Sequence, residues 1–143
     1  MAHYRQQIRE QVATTLTGLP SLNTNIFQSR VYNIEEANLP CALIYTKNEE
    51  SEPITISYPR TIAKTLDLTI EIYTKGSTYE TSIENIIKEV REKMFTDRLV
   101  NGLAKDSFIT STEITYNGEG DSSLAVGLLS YQIEYHHEEG TLG

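Results

Sequence analysis

Apolar positions change period along the chain, and each change marks an element. Ile8, Val12 and Leu16 recur at i, i+4 and i+8 over residues 4–17, one narrow apolar stripe on an otherwise polar rod. That spacing predicts an amphipathic helix. Gly18 and Pro20 end it in the order expected of a helix C-terminus. So narrow a stripe is expected to lie on a sheet or on a neighbouring subunit rather than inside the core. Residues 26–32 form a short strand candidate. Leu39-Pro40-Cys41-Ala42-Leu43-Ile44-Tyr45-Thr46 reads as a strand with apolar residues on both faces. Pro40 belongs at its start, because it has no N–H to give to a ladder.

Residues 47–53, Lys-Asn-Glu-Glu-Ser-Glu-Pro, read as a polar acidic loop. A brief alternating run, Ile54-Thr55-Ile56-Ser57, then leads into Tyr58-Pro59-Arg60. The clearest strand follows, with Leu66, Leu68, Ile70 and Ile72 alternating with Thr65, Asp67, Thr69, Glu71 and Tyr73. Period two with one wet face is the pattern of an antiparallel sheet. After Gly76 the period returns to 3.6. Ser77 and Glu80 match a capping box, and Tyr79, Ile83, Ile86, Ile87, Val90 and Met94 form a wide stripe that marks the main core helix. Glu84, Lys88, Glu92 and Lys93 fall on its other face. A short helical turn is expected over residues 98–103.

Residues 108–116 and 124–135 read as a hairpin joined by Asn117-Gly118-Glu119-Gly120-Asp121, a turn-forming cluster. In the second run the apolar phase switches, from Leu124, Val126 and Leu128 to Leu129, Tyr131, Ile133 and Tyr135. Either a bulge near Gly127 reconciles them or both faces are covered. The fold class is therefore α+β, a largely antiparallel or mixed sheet packed with two main helices in the order α-β-β-β-β-α-β-β. At 143 residues the chain makes one domain, with residues 136–143 expected to be a flexible tail.

Charge is unevenly spread. Residues 1–105 hold all 12 Lys and Arg and 13 acids, a net of −1, whereas residues 106–143 hold seven acids and no Lys or Arg, a net of −7. Phosphate backbones are gripped through clustered cations, so the C-terminal third is not built for that. Its acids suit a solvated face, a surface that meets a basic partner, or one that DNA must pass without sticking. No run approaches the roughly 20 apolar residues that span a bilayer, and the N-terminal Met-Ala-His-Tyr-Arg-Gln-Gln has no apolar signal region. Synthesis in a reducing cytoplasm and no membrane partner are the expectations.

Signals for catalysis are nearly absent, with no Gly-rich phosphate loop, no Gly-x-Ser-x-Gly elbow and no Cys-x-x-Cys. Cys41, the one cysteine, lies in an apolar run that suits a buried inert thiol. His136 and His137 are adjacent on a strand-like run and point to opposite faces, which makes a poor chelate. Glu35, Glu36, Glu49 and Glu50 lie in polar stretches with no apolar wall to shift a carboxyl. No cofactor, metal or enzymatic activity is expected, and binding or assembly is the stronger class. Nine Tyr and three Phe support it, since tyrosine buries area while keeping a polar tip. Tyr58-Pro59-Arg60 combines residue types frequent at hot spots, and residues 47–60 form an arm able to add to a neighbour's sheet edge.

Several stretches carry a resemblance. The helix with Ile8-Arg9 and Val12 ending at Leu16-Thr17-Gly18, the segment from Leu39 to Thr46 with an acidic run behind it, the long strand to Tyr73 and the closing Leu129-Ser130-Tyr131-Gln132-Ile133-Glu134-Tyr135 resemble the tail terminator proteins of long-tailed phages, the minor tail protein U type. The resemblance implies a non-enzymatic virion protein that closes into a homo-hexameric ring on the last ring of the tail tube. There it stops polymerisation and presents a docking surface to the head completion or connector protein, while DNA passes without specific binding. Glu49, Glu50, Glu52, Tyr58, Arg60, Glu119 and Asp121 are the candidate interface or lumen residues under that reading. Another head–tail joining ring protein is the nearest alternative. A small-ligand-binding α+β regulatory domain is the alternative from a different class.

Overall fold

The alternation at residues 66–72 lies within a 15-residue strand that forms the middle of the molecule. The computed structural model describes residues 3–20, 22, 25–28, 40–75, 79–117 and 124–141. Helix α1 (Tyr4–Leu16) is followed by β1 (Ile26–Phe27), β2 (Cys41–Pro53), β3 (Thr61–Lys75), helix α2 (Tyr79–Thr96), β4 (Asp106–Asn117) and β5 (Leu124–Glu138). The five strands form one mixed sheet in the order β1-β2-β3-β5-β4, with β1 parallel to β2 and the other pairs antiparallel. β5 slots between β3 and β4, so the β3-α2-β4 crossover spans it. This is the expected α+β plan with one strand fewer.

Both helices lie on the same face of the sheet. Ile8, Val12 and Leu16 of α1, and Ile83, Ile86, Ile87, Val90 and Met94 of α2, are buried against Ala42 and Ile44 of β2, Leu66, Leu68, Ile70 and Ile72 of β3, and Leu129, Tyr131, Ile133 and Tyr135 of β5. Burying a side chain of this size contributes about 1.5–3 kcal/mol, so this layer dominates stability. Thr17 N–H donates to the Ala13 carbonyl at 3.0 Å, and Gly18 at φ +96° turns the chain away, the left-handed exit that favours glycine. The second face is not bare at its β1 end, where Cys41, Leu43, Tyr45 and Thr69 are buried as well. The expectation that β2 begins apolar on both faces therefore holds.

Four sequence expectations change. Residues 47–53 are not a loop but the second half of β2, paired with β3 from Glu49↔Leu66 to Pro53↔Ile62. A bulge at Lys47 and Asn48 resets the register, and backbone ladder bonds form there whatever the side chains are. Residues 54–57 are correspondingly not a strand but part of the exposed connection between β2 and β3. Residues 98–103 make a succession of turns rather than a helical segment. Of the two readings of the phase switch in β5, covered faces hold and the bulge does not: the register with β3 is continuous from Lys75↔Leu124 to Thr61↔Glu138, and Leu124, Val126 and Leu128 are half-buried. The bulge is on β4, at Thr110 between Ile109 and Ser111. The strand also runs through His136 and His137 to Glu138, so the flexible tail expected over residues 136–143 does not begin there. The capping pair Ser77 and Glu80, and residues 29–32 of the first strand candidate, fall on side chains or segments outside the described residues.

Gly127 faces the helices between Ala125 and Leu129. A Cβ there would come within 3.2 Å of Ile87 Cδ1 and 3.3 Å of Ile83 Cδ1, so glycine lets α2 sit close on the sheet. Gly127→Val should therefore destabilise the fold by about 1–3 kcal/mol, the usual range for overpacking, and lower Tm in calorimetry. An unchanged Tm would show that α2 can lift at no cost.

Candidate functional site

Alternation along β2 separates the candidate acids. Glu49 faces the helices, and its side chain is only 11% exposed. Its Oε1 accepts from Arg5 Nη1 on α1 at 2.8 Å and from Lys64 Nζ on β3 at 3.4 Å. Its Oε2 accepts from the Tyr135 hydroxyl on β5 at 2.5 Å. One carboxylate thus ties α1, β2, β3 and β5 together just beyond the apolar layer. Burial alone would raise its pKa, but the Tyr135 hydroxyl, Arg5 and Lys64 outweigh that and hold it below the ordinary glutamate value. The same contact and burial push the Tyr135 hydroxyl up. Glu49, read from sequence as solvated loop charge, is an internal tie.

Glu50 and Glu52 point the other way, onto the face without helices. In the ladder Glu50 stands opposite Thr65, which pairs with Glu134; Glu52 stands opposite Ala63, which pairs with His136. These four ionisable groups border a trough of about 470 Å³ whose floor is the small side chains Ala63 and Thr65. His136 Nε2 lies 2.8 Å from Glu134 Oε2. Asp67 and Glu71 on β3 and Glu113 on β4 share this face by register. Glu71 accepts from the Tyr45 hydroxyl at 2.9 Å and the Tyr73 hydroxyl at 3.3 Å, and burial together with Glu71 pushes Tyr73 up to about 12. Against these acids stand Lys47, 5.9 Å from the centroid of the Tyr45 ring, and Lys75 at the strand end. Sequence reading missed Glu134, Asp67, Glu71 and Glu113 as members of one surface. The signal was available in the period-two pattern, but only the strand order shows that the rows align.

Residues 54–60 form the exposed tip joining β2 to β3. Tyr58 is 78% exposed, the Tyr58–Pro59 peptide is cis, and the Arg60 guanidinium lies 4.8 Å from the Tyr58 ring centroid. Arg60 is occupied within the chain. Its Nε donates to Glu139 Oε1 at 2.8 Å, its N–H donates to the same oxygen at 2.9 Å, and Glu139 N–H returns a bond to the Arg60 carbonyl. The guanidinium holds the Glu139 carboxyl below its ordinary range. Arg60 therefore clasps the base of the tip to the end of β5. Glu119 and Asp121 lie outside the described residues, as do Glu35 and Glu36.

The chemistry-bearing side chains behave as their settings dictate. Cys41 is fully buried, and burial pushes its thiol up to about 11, which disfavours the reactive thiolate. His137 faces the helices beside Tyr4 and Tyr135, opposite in direction to His136 as strand alternation requires. Among the described residues no three His, Cys, Asp or Glu side chains gather as a metal site, and no helix is long and apolar enough to cross a membrane.

The Glu49 tie generates a pH test. Its folded pKa is depressed, so the stability it contributes is fully present above the unfolded value near 4.5 and is lost as pH falls through the lower folded value. Glu49→Gln should cost about 1–3 kcal/mol at pH 7, and the gap to wild type in urea unfolding should shrink below pH 4.5. A gap that stays constant down to pH 3 would show that the charge of Glu49 contributes nothing.

The sequence profile described as phage minor tail protein U matches residues 3–135, nearly the whole chain. No curated protein matches it at a significant level. Among solved structures, a chain from the virion of a native gene transfer agent (GTA) particle is similar over 94% of this chain and 92% of that one, with a TM-score of 0.50 at 11% identity. At that identity the likeness shows a shared fold. With an α+β sheet carrying both helices on one face and a family match over almost its full length, this chain belongs to the phage minor tail protein U family and is a phage tail protein.

Proposed function

We propose that the protein closes into a homo-hexameric ring at the head-proximal end of the tail tube. In this reading the ring ends tube polymerisation, presents its opposite surface to a head completion or connector protein, and catalyses nothing. The observation that carries it is the segregation of the sheet. Both helices cover one face, while Glu50, Glu52, Asp67, Glu113 and Glu134 gather on the other. With that face turned to the lumen, six chains at −8 each surround the passing DNA with about −48, and like charge keeps phosphate from adhering. A ring needs heterologous contacts, one patch of each copy meeting a different patch of the next. Termination needs one end complementary to the tube and the other not. Under this reading Glu50 is a lumen group, Glu52 and Tyr58 are interface groups, and Arg60 acts by holding the tip in place. Glu119 and Asp121 remain interface or lumen candidates on the strength of the resemblance alone.

Light scattering at raised concentration should find a hexamer or a monomer–hexamer equilibrium, and electron micrographs should show rings with a hole wide enough for duplex DNA. A strict monomer, even with tail tubes present, would remove the reading, and stable dimers carrying a small metabolite would favour a regulatory domain instead. The lumen assignment has its own test. Rings of the Glu50→Lys, Glu134→Lys variant should retain linear duplex DNA at low salt and release it as salt rises, whereas wild-type rings should retain none. Variant rings that ignore DNA would take this face out of the lumen.

A further inference from the structure

Seven large apolar side chains among the described residues are left exposed, and six of them gather in two places. Ile54, Ile56 and Tyr58 form the tip between β2 and β3, with Ile56 95% exposed. Phe95 and Leu99, at and just beyond the C-terminal end of α2, and Phe108 on β4 form the second group. Phe95 and Phe108 border an open groove of about 760 Å³ between α2 and β4, floored by Met94, Ile109 and Tyr131. Exposed apolar patches of this kind mark interaction surfaces. The two patches belong to opposite edges of the sheet: β2 and β4 are separated by β3 and β5, three strand spacings or roughly 14 Å.

Their charges are opposite too. The tip rises from a stretch of β2 that carries the exposed Glu50 and Glu52. The groove is lined by Lys88, Arg91 and Arg98 against Glu84 and Glu92, and Arg98 lies 5.8 Å from the centroid of the Phe95 ring. Resting on the ring assembly proposed above, we infer that the 54–58 tip of each copy seats in the α2–β4 groove of the next copy. A tip on one edge and its receptor on the other make a head-to-tail contact, the geometry that generates a ring when the rotation closes. Ile56 and Tyr58 enter beside Phe95, over the floor of Ile109 and Tyr131, and Glu52 meets Arg91 at the rim. The Arg60–Glu139 clasp holds the tip ready, which lowers the ordering cost of docking.

Cysteine pairing tests this directly, because the single native thiol, Cys41, is buried and stays out of the reaction. An Ile56→Cys, Phe95→Cys double variant treated with a short bismaleimide should give a covalent ladder on denaturing gels that ends at the hexamer. Either single variant should give no ladder. If light scattering finds rings but the double variant gives no ladder, the seating is wrong and the ring stands; a tube subunit would then be the candidate for the groove. If no oligomer forms, with or without tubes, both readings fall. Charge exchange gives an independent readout. Arg91→Glu should raise the concentration needed for assembly about tenfold, the scale of one interfacial charge contact. Adding Glu52→Arg should restore it. A double variant that assembles no better than Arg91→Glu overturns the pairing.

Discussion

The row Leu66, Leu68, Ile70 and Ile72 on β3 must be kept from water, and the rest of the molecule is arranged around that need. β3 is flanked on both sides, by β2 and β5, so its own ladder bonds are complete and its apolar side chains continue into Ala42 and Ile44 on one neighbour and Leu129 and Ile133 on the other. A surface that wide cannot be covered by one helix. The narrow stripe of α1 and the broad stripe of α2 cover it together, and Gly127 lets α2 approach closely enough to do so. Because both helices are committed to this face, the opposite face is left to polar and acidic residues over most of its length.

Beyond the apolar layer the sheet continues without a hydrophobic reason to do so. The outer half of β2 has no apolar side chain between Lys47 and Glu52, yet it stays paired with β3. Glu49 supplies the missing anchor by drawing Arg5, Lys64 and Tyr135 to one carboxylate. A charge at that depth is tolerable because its oxygens are bonded by two cations and a hydroxyl, and it would be costly if any were removed. The tip at 54–60 is thereby held out from the body on a rigid ladder, and Arg60 with Glu139 fixes its base. An arm positioned in this way is suited to the contact role proposed for it.

In the proposed ring, faces and edges divide the labour of assembly. Among the described residues β4 has no partner on its outer side and β1 covers only the first residues of β2, so within them both ends of the strand order are open. Open edges invite pairing with other chains, and the bulge at Thr110 and the polar outer half of β2 limit unspecific versions of it. Apolar tip and aromatic groove lie at these two edges, while the acid-rich face lies between them. In the ring proposed above, self-association at the edges leaves that face free to line the passage.

Sequence alone determined the elements whose side chains repeat with a clear period. The two helices, the middle strand, the hairpin at the C-terminal end, the inertness of Cys41 and the opposed directions of His136 and His137 follow from spacing and local chemistry, as does membership of a tail protein type from the short apolar segments that carry the resemblance. What the tertiary structure decided is where pattern gives no signal. Residues 47–53 look like a loop because polar residues have no period that distinguishes a solvated turn from a strand held by its neighbour's backbone. The doubled phase around Gly127 leaves a bulge and two covered faces equally open, because the sequence does not say what packs on either side of β5. Glu49 and Glu50 are indistinguishable as letters; one is a buried tie and the other an exposed acid because successive residues of a strand face opposite ways, and only the packing of α1, β3 and β5 determines which way is in.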